Sequence, residues 1–480
     1  MRSAVSFFLD NCDKMVYNKK SCLLTAKYLL FEVDVFMRLF FTILICKLLH
    51  FVLHLIGRGS SKPGEIALKL YPDVLKKIKL PDNVIAVTGS NGKTSTVEMI
   101  AHILNAEGKQ VIWNKEGSNQ IEGVTSLILS NCTMNGSLKG DVLLLESDER
   151  YSKFTFSHFA PTYYVITNLY RDQLTRNGHP EWVYDAILPS ISHKSTLILN
   201  ADDPLVSLYG KNHEKTVWFG MDRQSFDTEE NTSVYDDGAF CPNCKKPMKY
   251  NYRHYNHIGD YYCESCGHKK QPTSFTVTEV DLDKGIITIN GKYKITLSFK
   301  SIYNVYNILA CFTVCSLVGI KAETIAKDIS DYVLKNGRIV EYTLGSSDGT
   351  FLVSKHENSI SYDQSIRYII GQKQPCGVII IVDSVSRRYS TGEVSWLWDI
   401  DFELLNNECV EHIYLLGAHS KDLETRFSYT EIPVHKISVN PDIEEGVEQI
   451  KKAGHDKLYT VTCFSDKAKF LSKVQIKEQV

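Results

Sequence analysis

The segment Val84-Ile-Ala-Val-Thr-Gly-Ser-Asn-Gly-Lys-Thr-Ser-Thr96 organises the interpretation of the whole chain. Its apolar beginning predicts a buried strand, its glycines predict a tight loop, and the run from Lys93 to Leu104 predicts an amphipathic helix. A loop between a strand and a helix start cradles phosphate, because backbone N–H groups and the positive end of the helix face the anion. The alternative is an ordinary turn before a helix. The joint presence of strand, Gly-Lys-Thr and helix favours the phosphate loop.

Two residues of this loop have specific expected roles. Lys93 reaches the β- and γ-phosphates, and Thr94 offers its hydroxyl to Mg²⁺. The loop is shorter than the standard P-loop pattern, because Val87 stands where that pattern has its first glycine. The residues that we expect to bind nucleotide are Thr88, Gly89, Ser90, Asn91, Gly92, Lys93, Thr94 and Ser95.

The composition limits the class of protein. A chain of 480 residues, 43% hydrophobic and 23% charged, is long enough for two or three globular domains. Its formal net charge of −2 gives no overall positive field, so nucleic acid is not an expected partner. The 13 cysteines are an odd number with one cluster of four, which indicates a reducing cytoplasm and one metal site rather than a disulfide framework.

Residues 1–44 are predicted to be an N-terminal extension of uncertain structure, without a signal-peptide cleavage pattern. An alternative translation start at Met37 would remove residues 1–36. The sequence from Leu39 to Ile56 is strongly apolar, but a spanning helix needs about 20 apolar residues with few charges. We therefore expect an amphipathic or buried helix. A membrane-spanning helix and a helix on the membrane surface are the two alternatives. The residues that interrupt the apolar run are Arg38, Lys47, His50 and His54.

The next part of the chain alternates predicted strands and helices. A helix is expected at about 65–80, and strands at 84–87, 111–113, 141–146, 163–167 and 195–199. Polar residues follow the strands at their carboxyl ends, which predicts an open parallel α/β sheet with a site along that edge. Glu146 and Glu149 end one of these strands, and carboxylates beside a phosphate loop suit Mg²⁺. The alternative for either residue is a solvated charge at a strand end.

Four cysteines form the clearest metal pattern. They occur as two C-x₂-C pairs separated by 18 residues, a spacing typical of a closed, structural zinc site. We expect a zinc ribbon at about 236–272, in which His257 or His268 is an alternative ligand. A nucleic-acid-binding ribbon is a further alternative, which the near-neutral charge of the chain disfavours. The predicted ligands are Cys241, Cys244, Cys263 and Cys266.

The remaining sequence contains two ambiguous patterns. Asn304 and Asn307 lie three residues apart, so one helix face carries both amides, and they suit either a purine edge or helix caps. From the residues alone, caps are favoured. The segment Glu393–Glu403 combines two tryptophans with several acids, between predicted strands at 378–382 and 412–416. It is either a rim helix with its aromatic side packed inward or a partner-facing carboxylate site.

Five motifs together resemble the Mur ligase family. The Cys₄ insertion, followed by Val394-Ser-Trp-Leu-Trp-Asp-Ile-Asp-Phe-Glu403, narrows the resemblance to the ligase-like subunits of lipid II isoglutaminyl synthases. It covers about residues 45–470 and implies a central ATP-binding domain at 45–335 and a C-terminal domain at 336–480. The five motifs are Thr88–Thr94, Glu146–Glu149, Thr167–Leu174, Asn200–Pro204 and Tyr303–Asn307.

The resemblance implies an activity and a partner. ATP phosphorylates the α-carboxyl group of D-isoglutamate in the lipid II stem peptide at the membrane surface, and ammonia then displaces the phosphate. The ammonia comes from glutamine through a separate GatD-type glutaminase, since this chain has no recognisable Cys–His glutaminase motif of its own. An aspartate of the C-terminal domain is implied to orient the partner's histidine. Asp399 is the first choice, with Asp401 and Glu393 in reserve.

The resemblance also assigns further residues. Asn304 or Asn307 approaches adenine, which reverses the preference for caps, and Asn119 and Asn168 lie at the substrate cleft. The implied cofactors are ATP, Mg²⁺ and structural Zn²⁺, and the implied location is the cytoplasm, with association at the inner face of the membrane.

The sequence departs from the family mainly at Val353–Ser359, where a Lys-Asn-Pro-Ala-Gly run is expected. This difference keeps two alternatives open. One is another Mur-type amide ligase, and the other is a non-catalytic ATP-binding paralogue.

Overall fold

A computed structural model describes residues 19–55, 61–115, 118–332, 339–355, 357–384, 392–463 and 465–477. Its α-helices are α1 Lys19–Leu55, α2 Lys62–Leu70, α3 Lys93–Ala106, α4 Ile121–Asn131, α5 Ser152–Phe156, α6 Leu174–Asn177, α7 Pro180–Ile187, α8 Ile302–Leu317, α9 Ala322–Ser330, α10 Ser359–Gly371, α11 Ser420–Phe427, α12 Ile443–Ala453 and α13 Lys467–Leu471. Short 3₁₀ helices occur at Val74–Lys77, Leu188–Ser190, Val206–Gly210, Ser395–Asp399, Phe402–Leu405 and Val434–Lys436.

The strands are β1 Asn83–Thr88, β2 Val111–Trp113, β3 Val142–Glu146, β4 Tyr163–Ile166, β5 Thr196–Asn200, β6 Thr216–Met221, β7 Lys249–Tyr255, β8 Ile258–Tyr262, β9 Phe275–Asp281, β10 Ile286–Ile289, β11 Tyr293–Thr296, β12 Ile339–Leu344, β13 Ser347–Ser354, β14 Cys376–Ile381, β15 Val410–Leu416, β16 Ile437–Asn440, β17 Lys457–Cys463 and β18 Gln475–Ile476. These bounds confirm every strand predicted from the apolar runs. The helix expected at about 65–80 is instead α2 followed by a 3₁₀ turn.

The chain divides into two compact units, the first formed by Met1–Asp82 with Ile112–Leu143 and the second by Asn83–Val111 with Leu144–Val480. The predicted domain limit at residue 45 falls inside α1, and the limit at 335/336 lies outside the described residues. The proposed domain limits therefore stay predictions.

In the first unit, α1 packs against α2 and α4 with one side only. Leu39, Ile43 and Cys46 are buried at helical spacing, whereas Phe41 and Phe51 are at least half exposed. The predicted helix is therefore present, with one buried face and one exposed apolar face. By length and composition alone, Val33–Leu55 also meets the requirements of a membrane span, with a mean hydropathy of 2.0 and 22% of that window buried.

The second unit contains a sheet in the order β11-β10-β9-β6-β5-β4-β1, with the carboxyl half of β3 beyond β1. β1, β4 and β5 run parallel, as predicted, and β6 and β9 continue this parallel arrangement. β10 and β11 extend the edge as antiparallel strands. α8 packs against α3 and is buried over most of its length, because its sequence is apolar on all sides.

A hairpin of β7 and β8 with its flanking loops forms the predicted ribbon. The C-terminal part of this unit has a second sheet in the order β16-β15-β14-β17-β13-β12-β18. Its strands β13 to β17 are parallel to one another. At one edge β12 pairs antiparallel with β13, and β18 pairs antiparallel with β12. The carboxyl ends of both parallel sheets carry the residues that form the site.

Candidate active site

The phosphate loop lies between β1 and α3, as the sequence predicts. Gly92 has φ +85° and Gly89 has φ +129°, a backbone region that favours glycine. A Cβ atom on Gly92 would lie 2.0 Å from Asn307 Oδ1, and one on Gly89 would lie 2.3 Å from Thr167 Oγ1. Both glycines are therefore required by conformation and by space.

Asn168 holds this loop in place. Its Oδ1 accepts a hydrogen bond from Asn91 N at 2.8 Å, and its backbone carbonyl accepts one from Ser90 N at 2.9 Å. The neighbouring Thr167 hydroxyl donates to Asn91 O at 2.9 Å. Asn168 was expected at the substrate cleft, and the structure places it against the phosphate loop.

Lys93 is buried at the start of α3 and forms an ion pair with Glu149. Burial alone would lower the pKa of Lys93, but the carboxylates of Glu149, Glu146 and Asp172 raise it above its ordinary value. The side chain therefore stays protonated. Thr94 Oγ1 donates to Glu146 Oε2 at 2.8 Å, so a hydroxyl and two carboxylates converge beside the loop. Hard oxygen donors beside phosphate groups fit Mg²⁺, and these three residues are the ones that would hold it.

Asn304 and Asn307 line a cavity of about 130 Å³ next to the loop, together with Asn91, Gly92, Tyr255 and Tyr303. The helix α8 begins at Ile302 with Ser301 as its N-cap, so both asparagines lie inside the helix. The cap interpretation is therefore wrong. Asn304 Nδ2 donates to Phe299 O at 3.1 Å, and the predicted approach of Asn304 or Asn307 to adenine stays a prediction.

Asn119 precedes α4 in the first unit, and its predicted role at a substrate cleft stays a prediction.

The ribbon brings its four cysteines together. The sulfurs of Cys241, Cys244, Cys263 and Cys266 lie within 4.8 Å of one another, with Cys241 Sγ to Cys266 Sγ at 3.6 Å. Four thiolates around a tetrahedral zinc ion would be about 3.8 Å apart, given a Zn–S bond of about 2.3 Å. The site therefore fits a metal, and neither predicted histidine alternative belongs to the cluster. His268 Nε2 instead lies 2.9 Å from Pro204 O.

Residues of the C-terminal part reach the phosphate loop, and the sequence analysis missed them. Lys355 forms an ion pair with Asp172 and donates to Ser90 O at 3.3 Å. Asn358 Nδ2 donates to Asp172 Oδ1 at 2.8 Å. The signal was present, because Lys355 stands in the run where the family has a lysine. The residues after Lys355 differ from the family run, so the motif as a whole did not predict this contact.

The acidic segment Glu393–Glu403 is exposed in part and buried in part. Trp396 is 2% exposed and packs on Tyr362, whereas Trp398 is 44% exposed. Asp401 is buried, and Arg367 pairs with it at 3.2 Å. Trp396 packs inward, as the rim-helix alternative predicts, because the 3₁₀ helix Ser395–Asp399 turns it into the core. The partner-facing role of the segment stays a prediction.

Asp399 is partly exposed and forms an ion pair. Arg171 Nη1 binds Asp399 Oδ1 at 3.0 Å, and the same guanidinium binds Asp237 through Nε and Nη2. Burial raises the pKa of Asp399, and Arg171 acts in the opposite direction. Its predicted role with a partner stays a prediction, and Glu393 remains an exposed alternative.

Comparison with known proteins identifies the class. The family model for the Mur ligase middle domain matches residues 87–315, and the model for the MurT ligase C-terminal domain matches 356–466. A pseudomurein peptide ligase type C from Methanothermus fervidus has the same fold, with a TM-score of 0.63 and 22% identity over 83% of this chain and 79% of that one. A MurF ligase from Thermotoga maritima, solved with ADP, aligns with a TM-score of 0.54 and 14% identity over 86% and 83%. Fold and phosphate loop together define an ATP-dependent ligase of the Mur type.

Two sequence relatives are more specific. The lipid II isoglutaminyl synthase (glutamine-hydrolyzing) subunit MurT of Staphylococcus aureus (strain N315) is 31% identical over 80% of this chain and 86% of its own length. The protein of the same name from Streptococcus pneumoniae is 28% identical over 88% and 93%. The chain belongs to the MurT family of Mur ligase-like proteins.

Proposed function

We propose that this chain is the ATP-dependent ligase subunit of a lipid II isoglutaminyl synthase. It amidates the α-carboxyl group of D-isoglutamate in the lipid II stem peptide, and a GatD-type glutaminase subunit supplies the ammonia. The names of the two MurT relatives support this function, because each describes one subunit of a glutamine-hydrolysing synthase. The observation that carries the proposal is the convergence of Lys93, Glu149 and Lys355 at one phosphate loop.

The reaction has two balanced steps. A carboxylate oxygen of the substrate attacks the γ-phosphorus of ATP, the bond to the bridging oxygen breaks, and ADP leaves. Ammonia then attacks the carbonyl carbon of the acyl phosphate, phosphate leaves with the bonding electrons, and the nitrogen loses a proton. Both steps move negative charge near the loop, where preorganised cations lower the barrier.

The residues divide this work. Lys93 and the loop N–H groups hold the phosphates, and Lys355 brings a second positive charge from the C-terminal part. Thr94, Glu146 and Glu149 would hold Mg²⁺, which would supply positive charge beside the phosphates. Asn304 and Asn307 bind the adenine edge in the adjoining cavity. Zinc in the four-cysteine site is structural, because four thiolates leave no position for a substrate.

The partner and the location belong to the same proposal. We place the glutaminase against the segment around Trp398, where Asp399 orients its histidine. The chain acts in the cytoplasm at the inner face of the membrane, where its lipid-linked substrate is exposed. The exposed apolar face of α1 supports contact with that surface.

The test is to co-purify the chain with a candidate glutaminase and to assay lipid II amidation with glutamine and ATP. Amide formation that requires both subunits supports the proposal. A complex that binds ATP but forms no amide would favour the non-catalytic alternative. Transfer of an amino acid in place of ammonia would favour another Mur-type ligase.

A further inference from the structure

The hairpin of the zinc ribbon has two ends with different surroundings. Its open end carries the four cysteines, two of which precede β7 and two of which follow β8. Its turn end carries Tyr255, the last residue of β7. Tyr255 is buried and lines the cavity beside the phosphate loop, which Asn304 and Asn307 also line. One hairpin therefore contributes both to the predicted metal site and to the wall of the predicted nucleotide site.

Tyr255 is held against the helix that carries these two asparagines. Its ring centroid lies 4.4 Å from that of Tyr303 and 6.0 Å from that of Tyr306, both in α8. Aromatic rings at these separations stabilise one another. The hydroxyl of Tyr255 also lies 2.6 Å from that of Tyr170. Because Tyr303 and Tyr306 line the same cavity, the position of the Tyr255 ring helps to set the shape of that cavity.

The open end of the hairpin depends on the metal. The hairpin forms a two-stranded sheet of its own, and a two-stranded hairpin without further support is marginally stable in water. Its small core consists of Cys241, Met248, Tyr261 and Cys263, so two of these four buried residues are predicted zinc ligands. Packing of this core and binding of the metal are therefore coupled.

The two ends are joined by the pairing of β7 with β8, which extends from Lys249 at the open end to Tyr255 at the turn. The turn end also has contacts that do not involve the metal. His254 Nδ1, for example, lies 2.7 Å from Asp227 Oδ1. Loss of zinc should therefore shift the Tyr255 ring without releasing the hairpin, which predicts a graded effect on the cavity.

We propose that Tyr255 is a positioning residue of the nucleotide site, and that zinc in the ribbon tightens nucleotide binding through it. This inference rests on the nucleotide-binding part of the proposed function and gives the ribbon a role in that site. Zinc at the open end keeps the Tyr255 ring against Tyr303. By thermodynamic linkage, a nucleotide in the cavity tightens zinc binding by the same factor.

The first experiment measures the dissociation constant of a non-hydrolysable ATP analogue with Mg²⁺ by calorimetric titration of the full, zinc-loaded chain. We expect Tyr255→Ala to raise this constant by about two- to tenfold, the effect of losing one aromatic pair. Tyr255→Phe should stay within about twofold of the wild type, because it keeps the ring. The matched control is Tyr252→Ala on the same strand, whose ring lies 5.7 Å from Lys270 Nζ. Its constant should equal that of the wild type.

The second experiment removes zinc with a chelator, dialyses the chelator away and repeats the titration. The constant of the wild type should rise by about two- to tenfold, since the same aromatic contact is weakened, and should return when Zn²⁺ is restored. The affinity for zinc, measured in competition with a chelating dye, should rise by the same factor when the analogue is present. In Tyr255→Ala, removal of zinc should change the constant little, because the connecting ring is absent.

An unchanged constant for Tyr255→Ala overturns the inference, as does an equal effect of zinc removal in that variant and in the wild type, which indicates a route around this ring. If circular dichroism shows that the zinc-free chain unfolds, the zinc-loaded Tyr255 variants decide alone. A wild type that binds no nucleotide would refute the proposed function together with this inference. If the wild type binds nucleotide and Tyr255→Ala binds it equally well, only this inference fails.

Discussion

At the scale of single residues, the phosphate loop illustrates how much chemistry a short motif fixes. The glycines, the lysine and the threonine occupy the positions that their residue types predict. The glycines are needed for backbone conformation and space, and the lysine and the threonine supply polar groups beside the loop. Lys355 and Asn358 were missed, since their role depends on a contact with Asp172, which lies 183 residues from Lys355 along the chain. A hydrogen bond from Gln173 N to Glu357 O at 2.8 Å supports the same contact.

Backbone conformation marks this contact as well. Gln173 has φ +48° and Glu357 has φ +50°, values that non-glycine residues seldom adopt. Such conformations persist where surrounding contacts hold them, and they are frequent at functional sites. No pattern in a single sequence predicts these two conformations, because neither Gln nor Glu favours positive φ.

We expect Lys93→Ala to lower ATP turnover by at least about 100-fold, as loss of a preorganised charge at a transferring group does. The fold should persist, because burial favours protonation of the Glu149 carboxyl once its partner is gone. Turnover is measured as ADP release, and folding by circular dichroism. Lys109→Ala, at an exposed lysine just after the same helix, is the matched control. Unchanged turnover in the Lys93 variant would refute the phosphate-loop assignment.

A second prediction concerns Lys355→Ala. We expect the ligase rate to fall by about 10- to 100-fold, because a cation near the transferring phosphoryl group is lost. Nucleotide affinity should change less, since Lys93 and the loop amides remain. Equilibrium ATP binding and steady-state amidation with ammonium separate the two effects. Lys421→Ala, at an exposed lysine that pairs with Glu424, serves as the control. Equal amidation by the Lys355 variant and the wild type would exclude its role.

At the scale of elements, the sequence predicted strands and the ribbon better than it predicted surfaces. Apolar runs and cysteine spacing are local signals, so the sheet core and the four-cysteine cluster appear where expected. The burial of Trp396 was one of two alternatives and that of Asp401 was not predicted, because a 3₁₀ helix orients its side chains with a period that neither strand nor α-helix patterns describe. Trp398 is 44% exposed, and its predicted contact with a partner stays a prediction.

We expect about one zinc ion per chain, held by the four cysteines of the ribbon. Cys244→Ser should lower the thermal midpoint of unfolding and the zinc content, while turnover per folded molecule falls less. The physical reason is that the hairpin is also anchored by buried bonds, such as Tyr170 Oη to Tyr255 Oη at 2.6 Å. Elemental analysis and thermal unfolding test this, with Cys409→Ser outside the ribbon as control. Freshly purified protein without zinc would contradict the assignment.

At the scale of the whole molecule, neighbouring residues connect the two parts of the proposed function, which are ATP-dependent ligation at the phosphate loop and the supply of ammonia by the partner. Asp172 contacts the residues that reach the phosphate loop, and the adjacent Arg171 binds Asp399. Asp399, the residue with the predicted orienting role, is therefore connected to the ligase site through Arg171 and the adjacent Asp172. This link was invisible in the sequence, since it joins segments separated by 228 residues.

We expect Asp399→Asn to lower glutamine-dependent amidation strongly, because loss of an orienting acid in a comparable triad costs about 10⁴ in rate. ATP binding and complex formation should remain, and high ammonium should partly restore amidation. The control is Asp283→Asn, at an exposed aspartate that pairs with Lys373. If the complex that contains the Asp399 variant hydrolyses glutamine at the wild-type rate, the role of orienting acid would pass to Asp401 or Glu393.

The most direct test of the central claim follows the nitrogen atom. The complex of this chain with a glutaminase subunit is incubated with lipid II, ATP and glutamine labelled with ¹⁵N in its side-chain amide, and lipid II is analysed by mass spectrometry. We predict that the label enters the α-amide of the stem peptide only when ATP and both subunits are present. ATP hydrolysis with no ¹⁵N in lipid II, or amidation without ATP, would contradict the proposed function.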